Sequence, residues 1–204
     1  MKTKISTLFL DIGGILLTNG WDRKARAEAV KKFNLNEDEI QERHHLTFTT
    51  YELGKLTLDA YLKRVIFFKA RDFSKEDFTG FMYSISKPFP DMIDFVKKLK
   101  TNYQLKIIAV SNEGRELNDF RINKFNLRDI FDAFVSSSYV HFRKPDEDIF
   151  KIALDISQAN KAEVIYLDDR DMFVEIANEL GIIGIHHEDF KSTKTKFEKF
   201  ELIL

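Results

Sequence analysis

The sequence predicts an α/β protein in which a parallel β-sheet is flanked by helices and a helical segment is inserted after the first strand. From residue 91 onward, amphipathic helical patterns alternate with short apolar segments, as they do in βαβ units. The first apolar segment stands apart from the others, because residues 21–86 carry helical patterns and no clear strand. It also contains three consecutive large apolar residues, which is typical of a strand covered on both faces.

The first strand is predicted over residues 5–10 and ends abruptly at a carboxylate. Asp11 follows the strand directly, and Gly13 and Gly14 come just after it. Glycine has no Cβ, so the chain can bend here and bring its amides close to a ligand. Ligands of open α/β sheets bind beyond the carboxyl ends of the strands, where Asp11 stands. Asp11 is therefore a candidate functional residue.

Four helical patterns fill the inserted segment, over residues 23–33, 37–47, 58–69 and 75–84. Asn36, Thr57 and Ser74 each precede one of these patterns and are suitable N-caps, because their side chains can accept a hydrogen bond from the first turn of a helix. Pro88 and Pro90 then interrupt the helical character.

The remainder of the chain alternates between helix and strand. Helices are predicted over residues 91–103, 115–125, 147–157 and 173–180, and strands over residues 105–110, 133–135, 164–167 and 182–185. The segment 186–204 is mixed and predicts no element with clear bounds. We therefore expect a core formed by residues 1–18 and 87–204, with a helical domain inserted at residues 19–86.

Composition excludes several classes of protein. A chain of 204 residues that is 44% hydrophobic can bury a sizeable core, and its net charge of -1 gives no reason to expect a nucleic acid or an anionic membrane as partner. It has no Cys, which excludes disulfides and thiolate chemistry. The first apolar run stops at Asp11, too early for a signal peptide, and no run approaches the ~20 residues that span a bilayer. We expect a cytoplasmic protein.

Polar residues follow three of the predicted strands at their carboxyl ends. Asp11 follows the first, Ser111 and Asn112 the second, and the pair Asp168 and Asp169 the fourth. In a parallel sheet these ends share one edge, so the side chains are expected to converge. Carboxylates that share one cleft need a cation, and oxygen ligands suit Mg²⁺. Lys144, in the loop before a predicted helix, would add a positive charge of the kind that a transferring phosphoryl group requires.

Four motifs in this order resemble those of the haloacid dehalogenase superfamily. They read D-I-G-G-I-L from residue 11, S-N-E-G from residue 111, F-R-K-P-D from residue 142 and Y-L-D-D from residue 166. With the inserted Y-E-L-G-K-L-T-L-D-A-Y they are similar to the subgroup with an α-helical cap, which includes small sugar-phosphate phosphatases and the amino-terminal domain of soluble epoxide hydrolases. The resemblance covers nearly the whole chain and implies a Rossmann-like core with an inserted α-helical cap.

The resemblance implies a role for each motif residue. Asp11 matches the nucleophile that forms an aspartyl-phosphate, and Lys144 the catalytic lysine that holds nucleophile and phosphate together. Substrate-binding positions correspond to Ser111, Asn112 and Gly14. The Mg²⁺ positions correspond to Asp11, the carbonyl of Gly13, Asp168 and Asp169, with Asp169 expected to make the more direct contact.

The chain departs from the family pattern two residues after the nucleophile. Family phosphatases normally have a second Asp there, which protonates the leaving alcohol and then activates water, whereas this chain has Gly13. Losing a general acid/base costs on the order of 10²–10⁴ in rate. Some members of the capped subgroup read D-x-G and are still regarded as phosphatases. Asp22, Glu52 or another residue of the insertion is a candidate replacement from position alone.

The resemblance predicts Mg²⁺-dependent hydrolysis of a small phosphorylated metabolite, such as a sugar phosphate, through an aspartyl-phosphate. Two alternatives stay open. One is a catalytically impaired binding protein, which Gly13 favours. The other is a haloacid dehalogenase, which also lacks the second Asp but needs no Mg²⁺, so that the pair Asp168 and Asp169 speaks against it. Neither the physiological substrate nor the oligomeric state follows from the sequence.

Overall fold

A computed structural model describes residues 4–204 of the chain and confirms the predicted fold class. Five strands form one parallel sheet in the order β3-β2-β1-β4-β5. Their bounds are β1 (Thr7–Leu10), β2 (Lys106–Ser111), β3 (Ala133–Ser136), β4 (Val164–Asp168) and β5 (Ile183–His186). The first strand lies at the centre of the sheet, which is why the residues that follow it have neighbours on both sides.

Helices connect the strands and follow the last one. Their bounds are α1 (Arg23–Lys32), α2 (Glu37–Glu52), α3 (Leu58–Val65), α4 (Lys75–Ser84), α5 (Pro90–Tyr103), α6 (Arg115–Lys124), α7 (Ser137–Val140), α8 (Asp148–Ser157), α9 (Asp171–Glu179) and α10 (Phe190–Glu198). Short 3₁₀ helices occupy Leu127–Asp129 and Lys161–Glu163. The predicted N-caps Asn36, Thr57 and Ser74 are confirmed, since each side chain accepts a hydrogen bond from the first turn of its helix.

Alternate residues of the strands pack on opposite faces of the sheet. Leu8 and Leu10 of β1 belong to one apolar cluster, which α5 covers with Phe95 and Leu99. Phe9 points to the other face and belongs to a second cluster with residues of α8 and α9. Both faces are therefore covered, as the run of apolar residues in β1 predicts.

The helices between β1 and α5 have an apolar cluster of their own. Its centre is aromatic: Tyr51 stacks on Tyr61 at a ring distance of 4.7 Å, and Phe78 packs edge-on against Trp21 at 5.7 Å. Leu117 of α6 also belongs to this cluster. The four helices are thus held together by their own side chains, and they contact the sheet-bearing part of the chain through α6 and α7, among other segments.

Several elements differ from the sequence prediction. Helix α2 continues to Glu52 rather than ending at residue 47, because its last turn buries Tyr51. Helix α3 ends at Val65 rather than at residue 69. Helix α10 lies in the segment for which no clear element was predicted, where Asp189 caps the helix and only two of its residues are buried, too few to give a readable apolar period.

Within residues 4–204, no helix has both the length and the apolar character needed to cross a membrane.

Candidate active site

The site is built where the three central strands end. Asp11 follows β1 and donates its backbone N–H to the carbonyl of Leu167 in β4. Ser111 is the last residue of β2, and Asp168 is the last residue of β4. Both strands pair directly with β1 in parallel register, so the three side chains meet at one edge of the sheet. The strand order also reverses at β1, which is where open α/β sheets bind ligands.

Three carboxylates converge at this edge. Asp11, Asp168 and Asp169 each present an oxygen, and these three oxygens lie within 4.8 Å of one another. Asp11 and Asp168 are buried, and Asp169 is half-buried. Three negative charges this close, with little water to screen them, repel one another strongly unless cations offset them.

Lys144 supplies one of those cations from the loop before α8. Its Nζ lies 2.6 Å from Asp168 Oδ2 and 3.3 Å from Asp11 Oδ2, and the side chain is fully buried. Burial alone would lower the pKa of Lys144, but the charges of Asp11 and Asp168 outweigh it and raise the pKa above its usual value. Lys144 is therefore a fixed positive charge that contacts both Asp11 after β1 and Asp168 at the end of β4.

The Asp11 carboxylate is held in a defined orientation. Its Oδ1 accepts the backbone N–H of Ile12 at 2.7 Å, and its Oδ2 faces Lys144. Burial raises the pKa of Asp11 to about 6, and the charge of Lys144 and a hydrogen bond from Ser111 work against that rise. A desolvated carboxylate beside a lysine is well placed to act as a nucleophile.

The two residues of the acidic pair have different surroundings. Asp168 Oδ2 accepts hydrogen bonds from Lys144 and from the hydroxyl of Tyr166, while its Oδ1 accepts the backbone N–H of Arg170. Asp169 Oδ2 accepts from the side-chain amide of Asn19 at 3.0 Å. Its Oδ1 is buried and has no hydrogen-bond partner among residues 4–204.

These residues fit a magnesium ion. The unpartnered Asp169 Oδ1 is a buried acceptor of the kind that costs free energy unless a ligand satisfies it. Three carboxylates against one lysine leave net negative charge, and carboxylate oxygens are the ligands that Mg²⁺ prefers. Asp169 therefore has a carboxylate oxygen available to a ligand, and its more direct contact with the metal stays a prediction.

Asn112 is bonded to the lysine loop. Its Nδ2 donates to the carbonyl of Lys144 at 2.8 Å, and its Oδ1 accepts the backbone N–H of Lys144 at 2.9 Å. Asn112 therefore fixes the position of Lys144, while its predicted contact with a substrate stays a prediction. Ser111, its neighbour, is buried against Asp11.

The glycines after Asp11 allow close approach of other groups. Gly14 has a φ of 74°, and a Cβ at this position would lie 2.3 Å from the Asp169 carboxylate. Only a glycine lets the backbone pass so close to that side chain. The N–H of Gly14 donates to the carbonyl of Leu17 at 2.8 Å, and the predicted substrate and metal contacts of Gly14 and Gly13 stay predictions.

Sequence reasoning missed two residues of the site, Asn19 and Tyr166. Asn19 lies in T-N-G, a composition typical of turns, and Tyr166 lies within the predicted strand over residues 164–167. The alternation of strand side chains could have revealed Tyr166, because residues 166 and 168 share one face. Nothing in the sequence signals that Asn19 contacts Asp169, since the two are far apart along the chain.

Each of the two named candidates for a replacement acid/base has a partner outside the carboxylate cluster. Asp22 caps α1 by accepting the N–H of Ala25 at 2.8 Å. Glu52 is buried and forms an ion pair with Arg143, at 2.5 Å between Oε2 and Nε. Burial raises the pKa of Glu52 to about 7 against the opposing charge of Arg143.

Two clefts lead to the site on either side of Phe89. One of about 450 Å³ is lined by residues that include Asn19, Asp22 and Lys24, and one of about 540 Å³ by residues that include Asp169. Phe89 and Gly14 line both clefts, so the bend after Asp11 is reached from two directions.

The chain belongs to the haloacid dehalogenase-like hydrolase family, whose sequence pattern matches residues 22–185. The match includes Ser111, Lys144, Asp168 and Asp169 and begins after Asp11.

Curated relatives match over short segments. The bifunctional epoxide hydrolase 2 of Sus scrofa is 34% identical over 73 residues, which are 36% of this chain and 13% of that protein. The sesquiterpene phosphatase astK of Aspergillus oryzae is 32% identical over 65 residues, which are 32% of this chain and 33% of that protein. The chain thus covers a third or less of these relatives.

Solved structures share the fold over nearly the whole chain. The HAD family enzyme bt-2542 of Bacteroides thetaiotaomicron, in a complex with magnesium and inorganic phosphate, superposes with a TM-score of 0.77 at 22% identity, covering 93% of this chain and 98% of that one. The L-2-haloacid dehalogenase of Xanthobacter autotrophicus, with chloropropionic acid covalently bound, has a TM-score of 0.62 at 16% identity, covering 89% of this chain and 77% of that one.

Proposed function

We propose that the protein is a Mg²⁺-dependent phosphatase that hydrolyses a small phosphomonoester through an aspartyl-phosphate on Asp11. The observation that carries this proposal is the buried Asp11 carboxylate held 3.3 Å from Lys144 within a cluster of three carboxylates. The magnesium and phosphate of the bt-2542 complex and the phosphatase among the curated relatives support the same class of reaction.

In the first step the Asp11 carboxylate attacks the phosphorus, and the bond from phosphorus to the ester oxygen breaks. Lys144 lies beside the attacking oxygen and offsets negative charge on the phosphoryl group. Asp11, Asp169 and the carbonyl of Gly13 would hold Mg²⁺, which would stabilise charge on the phosphoryl oxygens. In the second step water attacks the phosphorus and releases Asp11 and inorganic phosphate.

The leaving alcohol needs a proton, and Gly13 has none to give. A monoprotonated ester solves this within the substrate: its own phosphoryl proton passes to the leaving oxygen as the bond breaks, which leaves the aspartyl-phosphate dianion. Water then attacks this dianion and yields the Asp11 carboxylate and dihydrogen phosphate, so that atoms and charges balance in both steps. Turnover of alkyl esters is expected to be slow, because position 13 supplies none of the acid/base assistance that is worth on the order of 10²–10⁴ in rate.

We further propose that residues 19–86 form a cap over a core of residues 1–18 and 87–204. The separate apolar cluster of α1–α4 supports a unit of this kind. The clefts on either side of Phe89, at about 450 and 540 Å³, have room for a small metabolite rather than a macromolecule. A cap in this place would exclude water and select the substrate.

The test is a screen of the purified protein against a nitrophenyl phosphate, sugar phosphates and nucleotides, with Mg²⁺ and with EDTA. Asp11→Asn removes the nucleophile at almost constant shape. Asp155→Asn, on the exposed face of α8, makes the same chemical change away from the site. We expect metal-dependent turnover in the wild type and in Asp155→Asn, and none in Asp11→Asn.

Two results would overturn the proposal. A wild-type protein that hydrolyses no ester while Mg²⁺ still raises its melting temperature would be a binding protein of this family. Metal-independent release of halide from a 2-haloacid would make it a dehalogenase, which the preserved acidic pair argues against.

A further inference from the structure

The side chain of Asn19 fills the space beside Gly13. A Cβ on Gly13 would lie 2.8 Å from Asn19 Oδ1 and 3.6 Å from Asn19 Cα. Contacts under 3.0 Å are closer than a Cβ normally tolerates. An acidic side chain at position 13, as in most phosphatases that this chain resembles, would therefore have to displace the amide that is present here.

The orientation of that amide follows from its other contact. Asn19 Nδ2 donates to Asp169 Oδ2 at 3.0 Å. The carboxylate can only accept, so the NH₂ end of the amide must face Asp169 and the oxygen must face Gly13. Within residues 4–204, Asn19 Oδ1 has no hydrogen-bond donor at its side, and Asn19 lines the cleft of about 450 Å³ together with Gly14.

A free carbonyl oxygen beside Gly13 can accept a hydrogen bond from water. It cannot take up a proton at neutral pH, so it orients a water molecule without acting as a general base. The second step of the proposed reaction needs such a water, aligned on the phosphorus from the side opposite Asp11.

We propose that Asn19 is a positioning residue for the water that hydrolyses the aspartyl-phosphate. This inference rests on the proposed function. Asn19 Oδ1 accepts one O–H of the water, the water oxygen forms a bond to phosphorus, and the bond from phosphorus to Asp11 breaks. The protons of the water leave on dihydrogen phosphate, so the asparagine is unchanged at the end of the cycle.

The first test compares Asn19→Ala with the wild type in two half-reactions. We expect the phosphorylation of Asp11 to keep its single-turnover rate, while hydrolysis of the phosphoenzyme slows about five- to tenfold, as expected for the loss of one hydrogen bond. Intact-protein mass spectrometry during turnover should then show a larger fraction carrying one phosphoryl group. Asn102→Ala, on the exposed surface of α5, is the matched control and should match the wild type in both steps.

The second test introduces an aspartate at position 13, where phosphatases of the family normally have one. Gly13→Asp alone is expected to be impaired, because the new side chain meets Asn19. Adding Asn19→Ala removes that obstacle, so the double variant should turn over faster than either single variant. If the double variant were no faster than Asn19→Ala, this would contradict the inference that an Asp side chain at position 13 and the Asn19 side chain compete for the same space.

A third readout needs neither metal nor activity. In a crystal structure of the metal-free wild type, a water molecule is expected within hydrogen-bond distance of Asn19 Oδ1. An amide turned away from Gly13 would overturn the inference.

The failures of the two proposals are distinguishable. A wild-type protein that neither turns over nor becomes phosphorylated contradicts the phosphatase itself. If the wild type turns over and Asn19→Ala behaves identically, only the role of Asn19 is overturned. An equal loss in both half-reactions would also overturn it, because that pattern means that Asn19 acts only by orienting Asp169.

Discussion

Lys144 and Asp168 form an ion pair at 2.6 Å that is wholly excluded from solvent. The pair joins the loop before α8 to the end of β4, and Lys144 also faces Asp11 at 3.3 Å. The lysine that the proposed reaction uses is thus part of the framework of the site, and removing it leaves buried carboxylates without their cation.

Lys144→Met should destabilise the fold strongly. Breaking a buried ion pair by removing one partner costs about 3–5 kcal/mol, because the remaining charge stays buried. The measurement is the free energy of unfolding from urea titration at pH 7 in EDTA. Lys151→Met on the surface of α8 is the control and should change stability by about 0.5 kcal/mol or less. Equal stability of the two variants would show that the site relaxes or hydrates when the lysine is lost.

Gly54→Ala should destabilise the protein at the turn after α2. Gly54 has a φ of 68°, and a Cβ there would lie 2.2 Å from the backbone oxygen of Ser138. A backbone atom cannot rotate away as a side chain can, so both strain and clash persist. We expect a loss of well over 1 kcal/mol in unfolding free energy.

The matched control is Gly80→Ala. Gly80 is exposed within α4 and has nothing within 4 Å of a Cβ. Alanine is favoured over glycine in a helix by about 0.5–1 kcal/mol, so this variant should be more stable than the wild type. Stabilisation of both variants would contradict the close approach of the Gly54 backbone to the Ser138 carbonyl.

Stability should fall in acid through His44. Trp21 Nε1 donates to the Tyr61 hydroxyl at 2.8 Å, and that hydroxyl lies 2.7 Å from His44 Nδ1. The hydroxyl accepts a hydrogen bond from the indole N–H, which leaves its own O–H available to donate to Nδ1 of a neutral imidazole. Burial lowers the pKa of His44 to about 3, and the charge of Arg26 adds to this.

The direction of this change in unfolding free energy with pH follows from proton binding. Between pH 6.5 and 3 the unfolded chain binds a proton at His44 and the folded chain does not, so acidification favours unfolding. At pH 5 this amounts to about 1–2 kcal/mol. His44→Gln should remove this part of the difference in unfolding free energy between pH 7 and pH 5, whereas His45→Gln, on the exposed side of α2, should keep it. Identical pH dependence in His44→Gln and the wild type would contradict a neutral, buried His44.

The pH dependence of turnover should depend on the leaving group. If no side chain protonates the leaving oxygen, an alkyl phosphate reacts as its monoanion, whose remaining proton has a pKa of about 6. Its kcat/KM should therefore fall about tenfold per pH unit above neutrality. A nitrophenyl phosphate needs no such proton and should show a flatter profile. An alkyl ester whose kcat/KM stays constant up to pH 8.5 would reveal an acid in the protein.

Much of the site could be predicted because its residues are tied to strand ends. Asp11, Ser111 and Asp168 follow apolar runs that pair in register, so their meeting follows from the parallel sheet. The roles given to them by family resemblance stay predictions, as does the division of the chain into two domains. The family and the fold class are confirmed.

The sequence by itself determined that a buried first strand ends in a carboxylate, since local apolar patterns and turn residues specify both features. The tertiary structure decided that this strand lies at the centre of the sheet, because strand order depends on pairing between distant segments. It also decided what surrounds that carboxylate. The contacts of Asn19 with Asp169, and of Lys144 with Asp168, join positions far apart in the chain. Side-chain contacts of this kind depend on how loops close over the sheet, and no local propensity encodes that distance or orientation.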